Sequence, residues 1–253
     1  MEETVTNFQV AGLRVSSLAV SEDRFTHALQ DAISKSRCII VTFVNPNSFF
    51  LRRKHYAYST ELGEFDAVFA DGIGVVLGAG LLGYRIRRLS FDSTSLAPVI
   101  FRWAQENSIG TFLIGSSKEK ISVAERTISE EFENLKILGK VDGYTENSEA
   151  IAKIISSGAQ LVICGMGGPL QERFLLNLRD AGFRGVAFTC GGYFDQLIGG
   201  YDYYPRIVDK LNVRFIFRLC KEPRRLAKRY LIDSRFFVFD IFKGNFLKKY
   251  KAK

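Results

Sequence analysis

The sequence predicts an α/β protein, a mostly parallel, Rossmann-like sheet with helices on both faces and a basic helical appendage at the C-terminus. Three observations carry this expectation. Short apolar and β-branched runs alternate with helical patterns at spacings of about 20 to 30 residues, the signature of βαβ units. The runs end in Asn, Asp or Gly, residues that turn a chain at a sheet edge. Residues 204–253 hold 15 Lys and Arg against 4 Asp and Glu, a net charge of +11, which leaves −3 for residues 1–203. The expected division is an α/β core over 1–200 and an appendage over 201–253.

In chain order, a polar start leads to a short edge strand at Val10 to Val15, and Ser21 caps a helix reaching about Ser36. Cys38 to Val44 is a buried strand that stops at Asn45-Pro46-Asn47. A helix through Phe49, Phe50 and Arg52-Arg53-Lys54 follows, then a strand from Phe65 to Ala70 that ends at Asp71-Gly72. Ile73 to Leu82 is a glycine-containing apolar helix, followed by the basic cluster Arg85, Arg87 and Arg88. Asp92-Ser-Thr-Ser95 caps a helix to about Asn107. Thr111 to Ile114 is a strand leaving through Gly115-Ser116-Ser117, and Lys118 to Phe132 an amphipathic helix. Leu135 to Val141 is a strand leaving through Asp142-Gly143-Tyr144, and Ser148 to Ser156 a helix. Leu161 to Cys164 is a buried strand, Gly165-Met-Gly-Gly a loop, and Pro169 the first turn of a helix with Gln171 and Glu172 beside it. Gly185 to Cys190 is the last strand, leaving through Gly191-Gly192-Tyr193-Phe194-Asp195.

A parallel sheet brings such exits to one edge, where helix N-termini and glycine loops hold anions. Asp71, set between Ala70 and an apolar Gly-Ile-Gly, has little local charge to pair with, and reads as either a functional acid or a helix N-cap.

Composition excludes several chemistries. His27 and His55 are the only histidines and neither has a nearby Cys or His, so no metal site and no cofactor is expected. No G-x-S-x-G or Walker A pattern occurs. Leu170 stands where a dinucleotide fingerprint needs its last Gly or Ala, which disfavours a dehydrogenase. Cys38, Cys164, Cys190 and Cys220 are widely spaced and expected reduced, and the N-terminus, with Glu2 and Glu3, shows no signal peptide, so a cytoplasmic location is expected. A carboxylate beside an arginine cluster and helix N-termini suits a transfer reaction in which a nucleoside diphosphate leaves.

Six ordered motifs extend this reading. Ala70-Asp71-Gly72-Ile73-Gly74, Arg87-x-x-x-x-Asp92, Phe112-Leu-Ile-Gly115, Gly165-x-Gly167-x-Pro169-x-Gln171-Glu172, Gly191-Gly192-x-Phe194-Asp195 and Phe217-Arg218-Leu-x-x-Glu222-Pro223-Arg224-Arg225 resemble the WecG/TagA/CpsF glycosyltransferases, glycosyltransferase family 26. Phe43-Val44-Asn45 stands where that family has Thr-x-Asn, with Thr42 one place early, and Ser90 replaces its usual Gly.

The resemblance implies an inverting, metal-independent transfer of a sugar from a nucleotide sugar, commonly a UDP-N-acetylmannosamine type, to a polyprenyl-diphosphate-linked saccharide in bacterial cell-surface polysaccharide synthesis. Asp71 is then the candidate general base. Thr42, Asn45, Gly72, Arg87 or Arg88, Asp92, Gly115, Gly165, Gly167, Gln171, Glu172, Gly192 and Asp195 are the candidate substrate-binding residues. Arg214, Arg218, Arg224 and Arg225, interleaved with aromatics, are assigned to an anionic membrane surface or the acceptor diphosphate, so the protein is expected on the inner face of the cell membrane rather than on nucleic acid. A homo-oligomer stays open. The alternative class is a non-catalytic nucleotide-sugar or nucleic-acid binding module.

Overall fold

The computed structural model describes residues 1, 3–203, 208, 214–221, 223 and 234–251. An eight-stranded sheet forms in the order β1-β2-β4-β3-β8-β7-β5-β6. Its strands are β1 (Val5–Val10), β2 (Leu13–Leu18), β3 (Cys38–Val44), β4 (Ala67–Ala70), β5 (Thr111–Gly115), β6 (Ile137–Val141), β7 (Leu161–Gly165) and β8 (Gly185–Thr189). Every pairing is parallel except the β1–β2 hairpin.

That hairpin revises the single edge strand expected at Val10 to Val15. Ala11 and Gly12 both take positive φ, 47° and 84°, and this two-residue turn folds the polar Val5-Thr-Asn-Phe segment back on β2. The segment alternates buried and exposed positions loosely, because only one side of this edge meets the core.

The helices are α1 (Glu22–Ser34), α2 (Pro46–Lys54), α3 (Tyr58–Gly63), α4 (Ile73–Leu81), α5 (Leu96–Glu106), α6 (Lys118–Glu131), α7 (Asn147–Ser156), α8 (Leu170–Asp180), α9 (Tyr193–Leu197), α10 (Arg214–Lys221) and α11 (Arg235–Lys251). Two of these go beyond the sequence expectations: α3 falls between the expected helix and strand, and α9 in the expected exit loop after Cys190; both are short, and Tyr58, Leu62, Tyr193 and Phe194 anchor them in the core.

Period-two alternation sends side chains of each strand to two separate cores. From β3, Ile39, Val41 and Phe43 join α1 and α5 on one face, while Ile40 and Val44 join α2, α3 and α8 on the other. Thr42 and Thr189 therefore face the α8 side, as polar members of an otherwise apolar layer.

The described C-terminal helix α11 packs on α2 and α4. Gly78 makes this approach feasible, since a Cβ there would lie 2.6 Å from Phe237 Cζ and 2.9 Å from Ile241 Cδ1. Asp240, buried on α11, takes an ion pair from Arg52 Nη2 at 2.7 Å and another from Arg53. No helix among the described residues is long and apolar enough to cross a membrane.

Candidate functional site

A cavity of about 960 Å³ lies over the carboxyl ends of the parallel strands, where open α/β sheets take their ligands. Each parallel strand from β3 to β8 delivers its exit residues there: Asn45 after β3, Asp71 and Gly72 after β4, Ser116 and Ser117 after β5, Gly143 and Tyr144 after β6, Gly165 to Gly168 around the end of β7, and Gly191 and Gly192 after β8.

Asp71 is half-buried at the rim, its backbone N–H bonded to Val44 O at 2.8 Å. Asn45 caps α2 through Asn47 N–H at 3.0 Å while its own N–H donates to Ser48 Oγ at 3.1 Å. The choice between the two arginines follows from extended backbone. Arg88 pairs with Ala70 as an extra parallel bridge beside β4, and Leu89 N–H donates to Ala70 O at 3.0 Å. Neighbouring residues on such a segment point to opposite sides. Arg88 lines the cavity, whereas Arg87 points to solvent and pairs with Glu22 at 2.9 Å. Arg87 is thus corrected out of the site.

Asp92 lines the cavity but does not cap α5. Its carboxylate is buried and accepts from Ser90 Oγ at 2.6 Å, Thr94 N–H at 3.0 Å and Arg214 Nη1 at 2.6 Å; Arg214 also reaches Thr94 Oγ1. Arg214 lines the same cavity, so α10 reaches the site. The backbone of Arg218 lies on α10; its side chain, and Arg224 and Arg225 entirely, lie outside the described residues. Asp195 Oδ1 accepts from Ser116 Oγ at 3.1 Å and Lys120 Nζ at 3.0 Å, and the exposed Tyr144 lines the same cavity.

The glycine loop after β7 departs from the expected open anion cradle. Gln171 Oε1 accepts from Gly167 N–H at 3.2 Å and Gly191 N–H at 3.1 Å, and Gln171 N–H is itself bonded to Gly167 O. These amides are already satisfied within the protein. Gln171 lines the cavity as a cross-link between two loops.

Three further candidates sit behind the wall rather than on it. Glu172 is 1% exposed and accepts from Thr42 Oγ1 and from Gln171 Nε2, each at 3.1 Å; burial pushes its carboxyl above the ordinary range. Thr42 lies 2.8 Å from Thr189 Oγ1 and does not reach the cavity. Gly115 serves strand packing: a Cβ there would stand 2.4 Å from Gly165 O, so β5 and β7 approach only because that atom is absent.

Sequence reasoning missed Lys120, Phe43, Leu77, Leu170, Phe237 and Val238 as lining residues. Lys120 carried a weak signal, since it falls in the first turn of the helix after a strand exit. The apolar members look like ordinary core residues in sequence.

Comparison with known proteins shows the family. Residues 8–251 match the family model described as the glycosyl transferase WecG/TagA/CpsF family. The chain is 30% identical over 213 residues, 83% of it and 88% of the relative, to the UDP-Gal:alpha-D-GlcNAc-diphosphoundecaprenol beta-1,4-galactosyltransferase of Shigella boydii. It is 30% identical over 198 residues, 77% of it and 76% of the relative, to the N-acetylglucosaminyldiphosphoundecaprenol N-acetyl-beta-D-mannosaminyltransferase of Bacillus subtilis (strain 168). A third relative, of the same description from Bacillus spizizenii, is 26% identical over 212 residues, 83% of this chain and 81% of its own.

Proposed function

The chain belongs to the WecG/TagA/CpsF family of glycosyltransferases, and from that premise we propose that it moves a hexosyl or N-acetylhexosaminyl group from a UDP-sugar to a polyprenyl-diphosphate-linked N-acetylglucosamine during cell-surface polysaccharide assembly. The single observation that carries the residue assignment is one cavity joining Asp71, Arg88 and Gln171 across the ends of the parallel strands.

In this reading Asp71 is the general base. It takes the proton from an acceptor hydroxyl as the oxygen attacks the anomeric carbon, through an oxocarbenium-like state, and the bond to the donor phosphate breaks with inversion. The electron pair leaves on UDP. Arg88 supplies the positive charge that meets the leaving diphosphate. Asp195, Lys120, Ser116 and the exposed ring of Tyr144 form the end suited to a nucleoside, with polar groups for its edges and a ring face for stacking.

The acceptor end is apolar. Leu77, Leu170 and Val238 line the cavity while staying exposed, and α4 and α11, which carry Leu77 and Val238, also carry exposed Leu81, Phe239 and Phe242 and the exposed cations Arg235 and Lys243. Rings and aliphatic groups interleaved with cations suit an anionic bilayer, so residues 201–253 act with α4 to seat the protein on the membrane inner face, where a polyprenyl acceptor is held.

The test is Asp71→Asn with a UDP-sugar panel and a short lipid-diphosphate N-acetylglucosamine. The variant is expected to keep UDP affinity within about threefold and to lose at least about a hundredfold in kcat. Wild-type turnover by Asp71→Asn would remove the base assignment.

A further inference from the structure

Glu172 is a buried acid that the transfer chemistry above leaves unused. It occupies the first turn of α8, 1% exposed, and its Oε2 has no hydrogen-bond partner among the described residues. A carboxyl oxygen sealed from water without a partner costs free energy, so its presence calls for a role that offsets that cost. We propose that Glu172 is a positioning residue: by holding the Gln171 amide it joins the loops after β7 and β8 and shapes the wall against which the nucleotide sugar rests. This rests on the UDP-sugar reading of the cavity.

The geometry leaves the Gln171 amide one orientation. Its Oε1 accepts two backbone N–H groups, from Gly167 on one loop and Gly191 on the other. Turned over, the NH2 group would face two donors and bond neither. The other end of the amide must then find an acceptor, and Glu172 Oε1 provides it at 3.1 Å. The same oxygen accepts from Thr42 Oγ1 on β3, and Thr42 meets Thr189 at the end of β8. One carboxyl oxygen therefore ties β3 and, through Gln171, two cavity loops.

Glu172 Oε2 lies under Gly168, where a Cβ would be 3.4 Å from Oε2 and 3.0 Å from Leu51 Cδ1. Its surroundings favour the neutral form. Burial is the largest influence, the Gln171 and Thr42 bonds oppose it in part, and the Glu61 carboxylate on α3 adds to it. Arg173, the next residue, is engaged with Glu61 at 2.8 Å, and Cys164 on β7 is itself held as the thiol by burial. A neutral acid can sit there without a counter-ion and still accept both bonds.

The test uses the full chain and two readouts, amide hydrogen exchange at Gly167 and Gly191, and steady-state kinetics with UDP binding by calorimetry. Glu172→Leu is expected to speed exchange at both amides, weaken UDP about tenfold and raise the donor KM by a similar factor with less change in kcat, the size usual for a supporting residue behind a site. Glu172→Gln, whose carbonyl accepts the same two bonds, is expected to restore protection and KM to near wild type. Thr42→Val, nearly isosteric, moves both readouts the same way by less, and decides the matter if Glu172→Leu does not fold. Unchanged protection at Gly167 and Gly191 in the Leu and Val variants, or a Gln variant as impaired as the Leu variant, overturns the proposal. Altered exchange in a protein whose wild type does not bind UDP would retire the donor reading and leave the loop-joining role standing.

Discussion

At the scale of single residues, adjacent arginines have opposite fates because an extended segment alternates its sides. Arg88 faces the cavity beside Asp71, and Arg87 pairs with Glu22 in solvent. Arg88→Ala is expected to lower kcat/KM by on the order of a hundredfold through the lost charge at the leaving diphosphate. Arg87→Ala should leave transfer unchanged and shift stability by less than about 1 kcal/mol, since exposed ion pairs contribute little. Parallel kinetic and thermal measurements of the two variants check both statements. Glu172 adds a pH signature. Its carboxyl is raised in the folded state above the ordinary 4.5, mainly by burial, with Glu61 contributing and Arg173 already paired to Glu61. Above pH 4.5 the unfolded chain releases this proton while the folded chain retains it, so stability from this group falls as pH rises towards the folded value. Melting curves should show the Glu172→Gln variant losing less stability than wild type as pH rises above 4.5.

At the scale of elements, the docking of α11 decides how complete the cavity wall is. Phe237 and Val238 line the cavity, and Phe237 and Ile241 fill the notch left by Gly78 on α4. Asp240 ties the helix to Arg52 and Arg53 of α2, the helix that begins at Asn45. Both arginines keep partial contact with water, which moderates the cost of losing the pair. Asp240→Ala should weaken docking by about 1 to 3 kcal/mol, seen as faster protease cleavage within 235–251 while the core melts as before. Gly78→Leu, by filling the notch, should release the same helix. Cleavage of both variants at the wild-type rate would mean that these contacts do not hold α11.

At the scale of the whole molecule, basic charge is concentrated in the last fifth of the sequence, and exposed apolar side chains stand on α4 and α11. The net +11 of residues 204–253 contrasts with −3 elsewhere, and the cavity-lining Leu77 and Val238 make an apolar rim with exposed Leu81, Phe239 and Phe242 on the same two helices. Each Lys or Arg near an anionic surface contributes on the order of 1 kcal/mol, and the interaction is screened by salt. The full chain is therefore expected to sediment with phosphatidylglycerol vesicles at low salt, less with neutral vesicles. Replacing Leu77, Phe239 and Phe242 by Ser should weaken vesicle binding without altering UDP binding. Equal sedimentation of the triple variant would separate the rim from the membrane.

The alternation of apolar runs with helical patterns, and the turn residues closing each run, determined the α/β architecture, because periodicity and glycine chemistry are local. Asp71, Asn45, Gln171 and Asp195 were legible as candidates for the same reason: each follows a strand, and a parallel sheet gathers such exits at one edge. What local pattern cannot carry is which way a side chain faces once strands stack. Only the tertiary structure separated Arg88 from Arg87, put Glu172 and Thr42 behind the wall, gave Gly115 to strand packing, and brought Arg214 and Phe237 from the end of the chain to the cavity. Those placements depend on contacts between residues distant in sequence, more than a hundred positions for Thr42 with Glu172 and Arg214 with Asp92, which close only when the sheet and its covering helices have assembled.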